Sequence, residues 1–182
     1  VTYPGRLTVQ LLIIATVASC GDPFEPFFTL VPAPEEVVLH DFMTGDLLDP
    51  AAFDLFNRSA IRTDQSTSWD FAFAVDPVLG PTLEPRGSVV GVESDAGIQP
   101  SNVEFDLLTM APEGGYTKSE SVPIAEGMVL VVRSRQTLAF TTRCRVYGKL
   151  EIVSIEGTPA MTTIRYVVNP NCEQRNLEPE EE

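Results

Sequence analysis

The chain has 182 residues, 43% of them hydrophobic, and 12 Lys plus Arg against 26 Asp plus Glu give it a net charge of −14. A length of this order fits one domain with short tails and can bury a real core. Twelve cations in so negative a field exclude a counterion-releasing nucleic-acid face, and they speak against charge-driven docking on anionic lipid headgroups. Fifteen prolines beside 12 glycines point to many turns and few long helices.

At the N-terminus Arg6 precedes the apolar run Leu7 to Ser19, which ends at Cys20. As a helix that run reaches about 20 Å, short of the roughly 30 Å hydrocarbon core, so residues 1–19 read as a secretory signal peptide or, if retained, as a membrane anchor. Val17-Ala18-Ser19-Cys20 resembles a bacterial lipobox, where small residues admit the peptidase and the cysteine takes the lipid. Cys20 is therefore the expected lipid attachment, and the expected location is the periplasmic side of a bacterial envelope membrane. Residues 20–35 carry four prolines between Pro23 and Pro34 and form an extended Pro-rich tether. Phe24, Phe27 and Phe28 are too apolar for a solvated tether and are expected to dock on the domain or on a partner.

A β-domain is expected over residues 36–175. Its predicted strands are Glu36 to Phe42, Ala52 to Asn57, Ser68 to Val75, Gly87 to Val92 and Gly127 to Arg133, the last nearly all apolar as a buried strand would be. Ser101-x-x-Glu104 forms a capping box that predicts a short helix from Asn102 to Met110. Residues 138–155 and 160–172 alternate as strands around the turn signal Glu156-Gly157-Thr158-Pro159. Paired antiparallel so that facing numbers sum to 316, Ile152 faces Ile164, Leu150 faces Tyr166, and Cys144 faces Cys172, with the even positions on one apolar face. The other face carries Glu151 opposite Arg165 and is expected to be mostly solvated. Directly opposed residues lie within disulfide range, and in an oxidising compartment Cys144 and Cys172 are expected to be joined. Residues 176–182 read as an acidic disordered tail. The expected fold class is thus all-β, an antiparallel sheet or sandwich with one or two short helices behind an N-terminal signal or anchor segment.

Ser68-Trp69-Asp70-Phe71-Ala72-Phe73 resembles the W-D-[IL]-A-F strand of HmuY-like proteins, haem-binding lipoproteins of bacterial envelopes. The stretch from Phe105 to Tyr116 is similar to their short helix and A-P-x-x-x-Y turn. Gly127 to Ser134, Tyr147 to Ile155 and Thr163 to Tyr166 are similar to their G-x-V-Y-V-V-R-T, Y-x-K-L-x-V-x-S and T-F-x-Y strands. The likeness spans roughly residues 36–175. In place of the family's I-x-T-N-x-G segment stands Ala74-Val75-Asp76-Pro77-Val78-Leu79-Gly80, with Ile61-Arg62-Thr63 ahead of the tryptophan. The resemblance implies haem held by two axial side chains, histidines or methionines. This chain offers His40, Met43, Met110, Met128 and Met161, and none maps onto a family ligand position.

His40 precedes Asp41, so a histidine bonded to that acid is expected ahead of an iron ligand. Met110 and Met128 are expected to pack in the core and Met43, before a Gly45-Asp46 turn, to be exposed. Trp69 reads as a core anchor and Asp70 as a carboxylate bonded to backbone or to an arginine. The sequence has no H-E-x-x-H, P-loop, Rossmann glycine pattern or G-x-S-x-G. No catalytic residue is assigned, and the expected role is a non-enzymatic accessory subunit docked on a membrane protein complex, for example a photosynthetic or respiratory assembly. Haem binding is the alternative.

Overall fold

Alternating apolar residues bring distant stretches of the chain into two antiparallel sheets. The structure, a computed structural model, describes residues 28–91, 93–139 and 142–180. The expected signal segment, Cys20, Phe24 and Phe27 lie outside the described residues. The first sheet orders β1 (Glu35–His40), β12 (Met161–Asn169), β11 (Tyr147–Glu156), β8 (Val129–Arg133) and β6 (Gly97–Ser101). The second orders β3 (Ser59–Ile61), β2 (Ala52–Asp54), β4 (Phe71–Asp76), β5 (Gly80–Pro85) and β7 (Val122–Pro123). Between β8 and β11 a separate hairpin is formed by β9 (Thr137–Ala139) and β10 (Thr142–Cys144).

The all-β sandwich is what forms. Phe53, Phe71, Phe73 and Leu83 of the second sheet share one core with Leu130, Leu150, Ile152 and Ile164 of the first. The Phe53 ring meets Tyr166 edge-on at 4.9 Å and lies 5.5 Å from Phe71. Each such fully buried side chain contributes about 1.5–3 kcal/mol of transfer free energy, which outweighs the short, polar-tipped strands' weak intrinsic preference.

The β11–β12 register follows the sum of 316 from Tyr147–Asn169 to Ile152–Ile164. Val153 then bulges, and Ser154 rather than Val153 faces Thr163, which bends the ladder away from the predicted pairing. The predicted single strand 138–155 breaks into β9, β10 and β11. The cysteines are joined, with Cα atoms 4.9 Å apart, but Cys172 lies beyond the end of β12, so the bond closes a loop outside the ladder.

Three expectations are corrected. Residues predicted as a strand at Gly87–Val92 instead form the helix α1 (Arg86–Val90), while Val92 lies outside the described residues. Pro85 at its start and Gly91 in the left-handed region at φ 64° confine this turn and override the β-preference of Val89 and Val90. The helix predicted at Asn102–Met110 contracts to a 3-10 turn, Phe105–Leu107, because Ser101 Oγ accepts from the Val103 N–H at 3.0 Å and caps nothing further on. Met110, expected in the core, is exposed there.

The third concerns the outer face of the first sheet, expected to be solvated. The Arg165–Glu151 pair is present at 3.3 Å, yet Tyr147, Val131 and Val167 are buried under Phe105, Leu108, Tyr116, Val31 and Leu177 as a second core. Lys149 is buried with them, its Nζ donating to the carbonyls of Phe105 at 2.9 Å and Leu108 at 3.0 Å. Burial lowers its pKa, and Asp106 only partly opposes this. Val31 and Leu177 carry the packed body beyond 36–175 at both ends. The acidic tail is correspondingly not free over its whole length: the Leu177 N–H donates to the Thr109 carbonyl at 2.8 Å and the Glu180 N–H to the Val31 carbonyl at 3.1 Å.

Candidate functional site

Trp69 and Asp70 take the places expected of them. Trp69 is buried against Ala52 and Ala72 on the outer face of the second sheet, and Arg86 lies over its ring at 5.4 Å. Asp70 precedes β4, and its carboxylate accepts from the Leu55 N–H at 2.8 Å, the Arg135 N–H at 2.6 Å and Arg135 Nη1 at 3.0 Å. The same Nη1 reaches Asp54 at 3.1 Å, so one guanidinium just past β8 ties β2 to the start of β4.

Two carboxylates share that single cation, which leaves one negative charge in excess. Burial, only partly offset by Arg135 and the two backbone donors, pushes the Asp70 carboxyl up to about 6 from 3.8. Burial presses the Arg135 guanidinium down, but Asp70 and Asp54 overcome this and hold it above its ordinary value. The folded Asp70 value lies above the unfolded one, so the native state holds this proton more tightly. The associated stabilisation is complete below about pH 4 and is lost as pH rises through about 6. Comparing the melting of the parent with that of Asp70→Asn, which keeps a carbonyl acceptor, should show the parent losing relative stability on the order of 2 kcal/mol between pH 4 and 7. A difference that stays flat across this window contradicts the assignment.

The haem-oriented expectations fare differently. His40 ends β1 half-buried, and its Nδ1 lies 3.6 Å from Asp49, not against Asp41. Asp41 is buried and turned inward, accepting from the N–H groups of Met43 at 3.0 Å and Val75 at 3.1 Å and from the Thr44 hydroxyl. Met43 is exposed as expected and borders a cleft of about 290 Å3 that contains neither a histidine nor a second methionine. Among the described residues no three His, Cys, Asp or Glu side chains come together as a metal-binding group. Phe28, expected to dock, is 67% exposed, and Val31 is the tether residue that packs into the domain.

The Met43 cleft is half of a longer apolar groove. Phe42 and Val89 form the wall it shares with a second cleft of about 360 Å3, lined also by Leu47, Trp69 and Val90. Sequence and geometry build it jointly. The Asp41 contacts and the Phe42 N–H donating to the Phe73 carbonyl at 2.8 Å fix the β1–β2 loop against β4. Asp46 accepts from the Leu48 N–H at 2.9 Å, and the tight turn leaves Leu47 and Leu48 outside, 70% and 65% exposed. Across the wall α1 presents Val89 and Val90. At the Met43 end Glu84 is buried and accepts from Thr82 at 2.8 Å and from Ser88 and Ser121, both at 2.9 Å. That carboxylate is held by three hydroxyls, an arrangement suited to shaping the groove floor.

The sequence reading missed this groove. A usable signal was present: no Lys or Arg stands between Leu7 and Asn57 or between Thr63 and Pro85, although eight and four acids do. These two stretches supply the β1–β2 loop and the groove floor. No protein-family model matches the chain, and no curated protein matches it. The β-sandwich is therefore established on its own geometry.

Proposed function

We propose that the chain is a non-enzymatic β-domain on the periplasmic side of a bacterial envelope membrane, acting as an accessory subunit docked on a membrane protein complex such as a photosynthetic or respiratory assembly. The observation that carries this reading is the way the chain leaves the domain. Val31 is buried in the second core, and the Thr29 backbone is held on both sides by one amide: its N–H donates to Asn171 Oδ1 at 2.9 Å and its carbonyl accepts from Asn171 Nδ2 at 2.7 Å. From Cys20, the proposed lipidated residue, nine residues remain before this clamp, a reach of about 30 Å at most. A domain so fixed stays beside the membrane and presents one orientation to its neighbours, which suits a subunit better than a mobile carrier.

The HmuY-like resemblance supports haem binding as the alternative, with exposed Met43 and Met110 each bordering a separate cleft. Mild solubilisation of native membranes separates the readings. The protein is expected to migrate with a large complex, and adding haemin to the purified chain is expected to leave the Soret band of free haemin unshifted. Recovery as a free monomer together with a shifted Soret band would establish the alternative instead.

A further inference from the structure

We infer that the groove between α1 and the β1–β2 loop is the docking site for a segment of a partner protein that carries apolar side chains flanked by lysines or arginines. The inference rests on the accessory-subunit reading and names the face and the chemistry of its contact. The groove brings Met43, Leu47 and Val90 to the surface at 67%, 70% and 38% exposure around a floor anchored by Trp69. Exposed apolar side chains gathered in this way mark an interaction surface, whereas scattered ones do not. Ala52, Ala72 and Ala74 keep the outer face of the second sheet low, so an incoming side chain can approach Trp69 and Val89 closely.

Charge selects the occupant. Asp76 lines the groove, Asp46 stands in the loop that carries Leu47, and Asp64, also in the lining, is paired with Arg62 at 2.8 Å. The one cation lining it, Arg86, is engaged by the Trp69 ring and the Thr67 carbonyl. A complementary partner is therefore basic at its edges. A second copy of this chain would bring the same acids to the contact and be repelled, as would an anionic bilayer surface. Residues 1–27 offer a single cation, Arg6, against Asp22 and Glu25. A basic, apolar segment of another protein satisfies both the greasy floor and the acidic margin.

Trp69 is the sole tryptophan and sits in the groove floor, so its emission reports occupancy directly. The full chain, reconstituted in phosphatidylcholine vesicles, is titrated with two synthetic amphipathic peptides of equal length, one of leucine and lysine and one of leucine and glutamate. The lysine peptide is expected to give a saturable emission change that weakens with added salt. Leu47→Ser and Val90→Ser, both at the surface, should weaken it about tenfold. Asp46→Asn with Asp76→Asn should weaken it too, while keeping the side-chain oxygens that accept turn N–H groups.

Equal responses to the two peptides, or groove variants that bind as the parent does, overturn the proposal. An emission change on adding phosphatidylglycerol to the vesicles without peptide also overturns it, because lipid would then occupy the groove. A chain that migrates with a membrane complex equally well with and without Leu47→Ser removes the groove and leaves the accessory role. A chain that migrates alone yet binds the lysine peptide selectively removes the accessory role and leaves the groove.

Discussion

Arg135→Ala is expected to destabilise the domain by about 3–5 kcal/mol, the usual consequence of deleting one partner of a buried ion group. Asp54 and Asp70 are almost wholly buried and have one guanidinium between them, at 3.1 and 3.0 Å. With that cation gone, two carboxylates face each other out of water with only neutral donors left, the Leu55 and Arg135 N–H groups on Asp70 and the Phe56 N–H and Asn57 amide on Asp54. The loss should shrink as the pH is lowered towards 4, where protonation discharges Asp70. Adding Asp70→Asn to Arg135→Ala should recover part of it, since one uncompensated charge disappears. Urea unfolding at pH 7 measures the parent and both variants. A loss below about 1 kcal/mol for Arg135→Ala would mean that water reaches the carboxylates and the cluster is effectively a surface pair.

Removing the Cys144–Cys172 bond should cost about 3.5 kcal/mol on the chain-entropy account, given a sequence separation of 28 residues. For a domain of this size that corresponds to a fall in melting temperature on the order of 10 °C. The bond lies where the β9–β10 hairpin returns to the sandwich, next to the bidentate Arg145–Glu173 pair at 3.0 and 3.2 Å and one residue from the Asn171 clamp around Thr29. Its loss should therefore loosen the hairpin and the tether clamp before the sheets separate, visible as early exchange of the Glu173 amide, which donates to the Arg145 carbonyl. Dithiothreitol should lower the melting of the parent to that of the Cys144→Ala/Cys172→Ala variant and leave the variant itself unchanged. A parent indifferent to reductant would show that the closed loop adds nothing to stability.

The β11–β12 hairpin was legible because both of its faces alternate over ten residues and a cysteine stands at each end. The bulge at Val153 was not, since it trades one ladder pair for a bend that a two-residue period cannot encode. β6 and β7 were hidden by Pro100 and Pro123, which a central strand would not tolerate; both strands lie at sheet edges, where the missing N–H faces no neighbour. α1 was hidden by two adjacent valines, because five residues bounded by Pro85 and Gly91 are too few for a helical period to emerge. At the site, Asp70 could be read as a bonded carboxylate from its own neighbourhood, but its partner Arg135 is 65 residues away and is brought there by sheet packing. Leu47 and Leu48 look like core residues on paper, and the local turn at Asp46 that expels them is held in place through Asp41 and Phe42, whose partners Val75 and Phe73 lie in β4.

β1 joins the two ends of the molecule that the proposed role would use. It begins four residues after Val31, near the clamp on the tether, and ends two residues before Phe42, at the groove wall. A pull between an anchored tether and a docked partner would run lengthwise through this strand, which spans about 20 Å. Its six register pairs with β12, from Glu35–Tyr166 to His40–Met161, would then bear the tension together in shear instead of opening one after another. The strand thus acts as a tie-rod, fixing how far from the membrane a partner can be gripped and letting the grip withstand load.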